Sequence, residues 1–260
     1  MLTSAVGQFP EDGPLRLALA EVLLRAERSE EAYAQFEAAL AIDGSDPEIQ
    51  FAAGTLASTI GRSDRAIEHY SMARSASPKE SRYALFLAAV QLEAGDRGAA
   101  KENFLHALHL DPTSATAAAA LAQVAMDEND RQLALNYARR AREIEPEELA
   151  YLVLEARALR RLGQAEDALA MLLAVPDASL YQEGVLTLAG ECLGLLRRPG
   201  DAAELYADAA AAHPTEAEFA FQAALWHERA DDEAEALAFA KRAQMLGHAM
   251  AGSVVDRLGG

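Results

Sequence analysis

The chain has 260 residues, 51% of them hydrophobic and 25% charged, so it carries enough apolar material to fold and disorder is not the default. Its 41 acidic residues outnumber 23 basic ones, and the resulting formal charge of −18 repels phosphate backbones and anionic lipid surfaces, which excludes nucleic acid as an expected ligand. With Cys192 as the one cysteine no intrachain disulfide can form; a reducing compartment is the simpler reading, and Cys192 reads as a small buried hydrophobe in preference to a nucleophile.

At the N-terminus, Met1 to Gly13 holds no basic residue and no apolar run of signal-peptide length. The most apolar stretch, Ala115 to Met126, is mostly alanine, broken by Thr116 and Gln123, and falls short of the ~20 residues a membrane span needs. The expectations are no membrane insertion and a cytoplasmic location.

From Gly13 onward one pattern recurs. Ala32, Ala66, Ala100, Ala134, Ala168, Ala202 and Ala236 stand 34 residues apart without an insertion or deletion. Seven residues after each come Ala39, Ala73, Ala107, Ala141, Val175, Ala209 and Ala243; twelve before come Ala20, Gly54, Ala88, Ala122, Ala156, Gly190 and Ala224. Small side chains at fixed offsets let two helices approach closely. Leu19, Leu87 and Leu121 on a first helix, with Phe36, Tyr70, Phe104, Leu172 and Tyr206 on a second, supply the large partners that fill the space between.

The punctuation agrees. Gly61, Gly95, Asn129, Gly163 and Asp231 share a column at mid-repeat, where a left-handed residue closes the first helix. Pro78, Pro112, Pro146 and Pro214 share another just past the second helix, which proline cannot continue. Asp46 before Pro47 reads as a helix cap, Thr215 with Glu218 as a capping box, and Ser29 and Ser63 as caps of second helices.

This lattice of small residue, large apolar residue, alanine, aromatic, alanine and proline resembles the tetratricopeptide repeat family. The resemblance runs from Gly13 to about His248 and implies an all-α, right-handed solenoid of seven helix-turn-helix units: 13–46, 47–80, 81–114, 115–148, 149–182, 183–216 and 217–248. Ala138 and Ala240 depart from the family in replacing the second-helix aromatic, and Gly44, Leu180 and His248 in replacing the terminal proline. In the fifth unit Pro176 comes four residues early, so its second helix is expected to end near Val175 and leave Asp177 to Gln182 extended. Residues 1–12 read as the remnant of a preceding repeat or an N-terminal extension. Residues 249–260 read as a tail or partial cap, too short and glycine-rich for a convincing capping helix. Units that each bury a face on the next need caps, so the chain is expected to be a piece of a longer array or to self-associate through its ends.

No nucleotide-binding, metalloprotease, nucleophile-elbow or paired-cysteine motif is present, and the expectation is a protein that is not an enzyme and carries no cofactor. His106 and His109 have a spacing two metal-binding imidazoles could use, but no third ligand is evident and a solvated surface accounts for them. Asp127, Glu128, Asn129 and Asp130 fit the mid-repeat turn and not a calcium loop. Phe221 and Trp226 fit core packing or a ligand contact.

The resemblance implies that a peptide lies along a concave groove lined by first helices. Two columns face it in the family: Leu17, Phe51, Leu85, Ala119, Val153, Thr187 and Phe221; and, four residues on, Glu21, Thr55, Ala89, Gln123, Arg157, Glu191 and Leu225. A family subgroup grips C-terminal carboxylates with lysine, asparagine and arginine. The matching positions here are Leu17, Glu21, Thr55 and Ala52, which cannot form that clamp. Arg157, Arg160 and Arg161 are the charge anomaly: they are either an anchor for an acidic segment or surface ion pairs with Glu128, Glu155 or Glu191. The candidate contacts are therefore Phe51, Leu85, Gln123, Val153, Arg157, Arg160, Arg161 and Phe221. The leading function is a scaffold or adaptor for a protein or peptide partner; the alternative is a substrate-recruiting region of a larger enzyme such as a glycosyltransferase-like protein.

Overall fold

The computed structural model describes residues 2–259, and every regular element among them is helical. The helices are α1 (Leu2–Gln8), α2 (Gly13–Arg25), α3 (Ser29–Ile42), α4 (Pro47–Thr59), α5 (Ser63–Ala76), α6 (Ser81–Glu93), α7 (Arg97–Leu110), α8 (Ala115–Asp127), α9 (Arg131–Ile144), α10 (Leu149–Leu162), α11 (Ala165–Leu173), α12 (Asp177–Leu180), α13 (Glu183–Leu195), α14 (Pro199–Ala212), α15 (Ala217–Arg229), α16 (Glu233–Met245) and α17 (Ala251–Gly259). First helices begin at 13, 47, 81, 115, 149, 183 and 217, and second helices at 29, 63, 97, 131, 165, 199 and 233. Both series keep the 34-residue step of the alanines. The chain divides into two compact units, one up to Glu128 and one from Asn129 on.

Within each unit consecutive helices pack, α2 with α3, α4 with α5 and α6 with α7 in the first, and α10 with α11, α14 with α15 and α15 with α16 in the second. The alanines at 32, 66, 100, 134, 168, 202 and 236 are all fully buried. Gly54 shows why the twelve-before column is small. A Cβ there would sit 2.8 Å from two ring carbons of Tyr70, and Gly190 stands likewise against Tyr206. These glycines let an aromatic ring of the second helix lie directly on the backbone of the first.

All seven mid-repeat turn residues are left-handed: Gly61, Gly95, Asn129 and Gly163, and also Glu27, Arg197 and Asp231 with φ of 58°, 57° and 60°. Asp46 caps α4 by accepting from the Glu48 N–H at 2.8 Å. Ser29 and Ser63 do not cap; they are the first helical residues, behind Arg28 and Arg62, neither of which makes a side-chain cap bond. Arg28 instead reaches forward to Glu31, and Arg62 reaches back to Glu30 of the preceding repeat at 2.6 Å. Thr215 with Glu218 is likewise no capping box, since Glu216 occupies the cap of α15 and Glu218 pairs with His248.

Two segments depart from the sequence expectation. After α11 ends at Leu173, residues 177–180 form a helical turn where an extended connection was expected. Pro176 has no N–H to donate, but its carbonyl accepts from Ser179 and Leu180 at 2.8 and 3.0 Å and so starts the turn that buries Leu180. At the other end α17 is a packed helix. Ala251 and Val254 are buried against Phe221, Ala224 and Ala240, with Val255 and Leu258 beside them, and Arg257 forks onto Glu228 at 2.6 and 2.9 Å. The apolar residues share one stripe, and that arrangement outweighs the helix cost of Gly252 and Gly259.

Cys192 is fully buried on α13, and burial pushes its thiol up to about 11. A thiol held neutral and shielded is a poor nucleophile. Folded protein at pH 8 is expected to resist maleimide labelling for hours and to label completely in denaturant; rapid labelling of folded protein would show that α13 opens locally.

Candidate functional site

In the first unit the groove columns fall on α2, α4, α6 and α8. Leu17, Phe51 and Leu85 are half-buried, and the first two lie at the edge of a core whose members, such as Leu19, Ala53 and Leu87, are almost fully enclosed. Phe51 is the centre of an aromatic group. Its ring lies 5.4 Å from Tyr70, 5.3 Å from Tyr83 and 5.0 Å from the more exposed Phe86, with the Arg82 guanidinium 5.2 Å above it. Arg82 and the Tyr83 hydroxyl both reach Glu48, one repeat earlier, and Tyr83 donates at 2.6 Å. Gln123, half-buried, donates to Asp127 one turn on.

The second unit presents α10, α13 and α15 as three adjoining depressions. One, of about 440 Å³, is lined by Leu149, Val153, Leu154, Arg157 and Val185; the next, of about 430 Å³, by Arg157, Arg160, Thr187, Leu188 and Glu191. The third, of about 670 Å³, is lined by Arg160, Glu191, Leu195, Arg197, Trp226 and Arg229. Arg157 belongs to the first two and Arg160 to the last two, so the depressions form one trough.

The arginines separate here. Arg160 pairs with Glu191 at 2.9 Å, as one of the sequence alternatives held. Glu155 is no partner of this group: it is buried, and Arg139 and Arg142 on α9 hold it at 3.1 and 2.5 Å. Glu128 pairs with Lys101. Arg157 and Arg161 are exposed. Phe221 is removed from the groove surface altogether. It is 4% exposed because the His248 ring stacks on it at 3.9 Å, a contact made by the turn before α17. Val153 stays half-buried in the trough wall.

Leu195, Arg197, Trp226 and Arg229 were not singled out as one group from the sequence. The available signal was the single tryptophan with an arginine three residues on, a spacing that stacks side chains on a helix; the Arg229 guanidinium does lie 4.5 Å over the Trp226 ring. His106 is half-buried and His109 exposed. Among the described residues no three or more His, Cys, Asp and Glu side chains are grouped to hold a metal ion, and no helix is long and apolar enough to cross a membrane.

Paired helices repeating every 34 residues, with a buried alanine ladder and a left-handed residue at every mid-repeat turn, define an α-solenoid repeat protein. A family profile described as the Psidin N-terminal TPR repeats region matches residues 124–241, and one described as tetratricopeptide repeat matches residues 1–50. The chain is a tetratricopeptide-repeat protein. Among solved structures it is similar to the C-terminal part of a TPR repeat-containing protein from Cytophaga hutchinsonii, with a TM-score of 0.75 and 14% identity over 92% of this chain and 99% of that one. It is similar also to a tetratricopeptide repeat protein from Parabacteroides merdae, with a TM-score of 0.67 and 12% identity over 95% and 99% of the two chains. PilW, a type IV pilus biogenesis factor, aligns with a TM-score of 0.59 and 20% identity over 72% of this chain and 87% of its own. At these identities the likeness is one of fold. No curated protein sequence matches the chain.

Proposed function

We propose that the chain is a scaffold or adaptor that binds a peptide or a segment of another protein along the exposed faces of its first helices, without catalysing a reaction. Tetratricopeptide repeats generally mediate protein–protein interaction. The observation that supports this reading is the row of Leu17, Phe51 and Leu85, one per repeat, left half-buried on successive first helices beside enclosed residues such as Leu19, Ala53 and Leu87. An apolar row at one position of each successive first helix, edged by groups such as Arg82 and Thr55, provides a few central anchors ringed by polar contacts.

The test is affinity purification of the partner with the intact chain beside the Phe51→Glu/Leu85→Glu variant, with circular dichroism confirming that the variant keeps its helices. Recovery is expected to fall about tenfold or more, because each glutamate places a charge on a surface that must be desolvated on binding. Equal recovery by the two proteins would move binding off this face.

A further inference from the structure

The second unit's trough carries a charge pattern that the fold does not explain. Among the described residues, Arg140 and Arg161 set aside, every arginine but four has a hydrogen bond or ion pair, in most cases to a carboxylate or side-chain carbonyl. The four are Arg25, Arg157, Arg197 and Arg229, and the last three line the trough. With 41 acidic side chains in the sequence, carboxylate partners are abundant. Three cations that converge on one surface without one are an anomaly of position and not of supply.

The trough is also shaped for side chains other than acids. Val153 and Leu154 form its wall at one end. At the other, the Trp226 indole lies against the backbone of α13, so close that a Cβ on Gly194 would meet it at 2.9 Å, and Leu195 is 61% exposed beside it. The Arg229 guanidinium lies over that indole, 4.5 Å from the ring centre, and so covers most of a ring that is only 9% exposed. Arg160 is already neutralised by Glu191, and Glu148 at the Arg157 end caps α10 by accepting from the Ala150 N–H, so the cations without a carboxylate partner sit at the two ends, Arg157 at one and Arg197 with Arg229 at the other.

We infer that this trough binds an extended acidic peptide segment of a protein partner, with carboxylates at Arg157 and at the Arg197–Arg229 end and apolar side chains against Val153, Leu154 and Leu195. The inference rests on the reading that first-helix faces bind protein segments, and it adds the ligand's chemistry. Charge complementarity selects the occupant: guanidinium groups take carboxylates in paired hydrogen bonds, while the chain's charge of −18 opposes long polyanions that would extend beyond the trough.

The test is a selection of random dodecapeptides displayed on phage against the whole chain, run in parallel on the Arg157→Glu/Arg229→Glu and Phe51→Glu/Leu85→Glu variants. Peptides selected on the unaltered chain should be rich in aspartate and glutamate around an apolar residue. Their binding should change the fluorescence of Trp226, the sole tryptophan. Glutamine in place of their acids, or charge reversal of the trough, should weaken it about tenfold or more, and added salt should weaken it further. The Arg157→Gln/Arg229→Gln variant should lose affinity while melting like the parent, which separates the charge effect from folding. Neutral peptides that are nonetheless lost on charge reversal would overturn the inference and leave the broader binding role standing. So would acidic peptides lost only with Phe51→Glu/Leu85→Glu. Inorganic polyphosphate binding more tightly than the best peptide would make the cations a phosphate site and also overturn it. Failure to select any peptide on any form would remove both readings.

Discussion

Leucine at both Ala100 and Ala134 is expected to lower stability by about 2–6 kcal/mol in total, since overfilling a close-packed site costs about 1–3 kcal/mol and each site lies in its own compact unit. Both alanines are fully buried, Ala100 on α7 and Ala134 on α9, one in each compact unit. Each isobutyl side chain in place of a methyl must displace a helix packed against it within its own unit. Glu102→Leu, at an exposed position of α7, is the matched control and should shift stability by no more than about 0.5 kcal/mol. Thermal and urea unfolding followed by circular dichroism read both. A melting curve unchanged in the double variant would contradict the close helix contact from which the whole fold is built.

That contact was legible because it constrains residue size, and size shows in a sequence. The alanine at 32 and its six successors, the glycines at 54 and 190 and the prolines at 78, 112, 146 and 214 give the period and the order of helix and turn. Turn geometry was legible only where the residue type advertises it. Glu27 and Arg197 take the same left-handed conformation as Gly61 and Gly163, but side chains of their kind adopt it rarely, so only their place on the lattice marks them. Cap roles at Ser29, Ser63 and Thr215 were each misread by one residue, within the usual uncertainty of a helix boundary.

The candidate site was less legible, for a physical reason. A lattice position says which way a first helix presents a residue and nothing about what a later segment lays on top. Phe221 occupies the same column as Phe51, yet His248 covers it. Charges are harder still, because an arginine's partner is set by the reach of a long side chain. Glu155 stands two residues before Arg157, but its carboxylate turns to Arg139 and Arg142 on the preceding helix. Arg157 is thereby left open.

That buried carboxylate carries the second large effect. Removing both partners, as Arg139→Ala/Arg142→Ala, is expected to cost about 3–5 kcal/mol, because it strands a charge in the interior with nothing to replace its lost hydration. Glu155→Gln should cost less. Its amide keeps an acceptor for one arginine, and the two guanidinium side chains, about half and a third exposed, can turn to water. The asymmetry follows from burial, since the carboxylate side chain is only 3% exposed. Urea unfolding of the three proteins measures it, and equal losses for the double arginine variant and for Glu155→Gln would show that Glu155 is hydrated in the fold. The consequence reaches the trough, because this cluster joins α9 to α10, the helix that presents Val153 and Arg157. The double arginine variant should therefore also weaken any ligand held at Arg157, although neither substituted residue lines that surface.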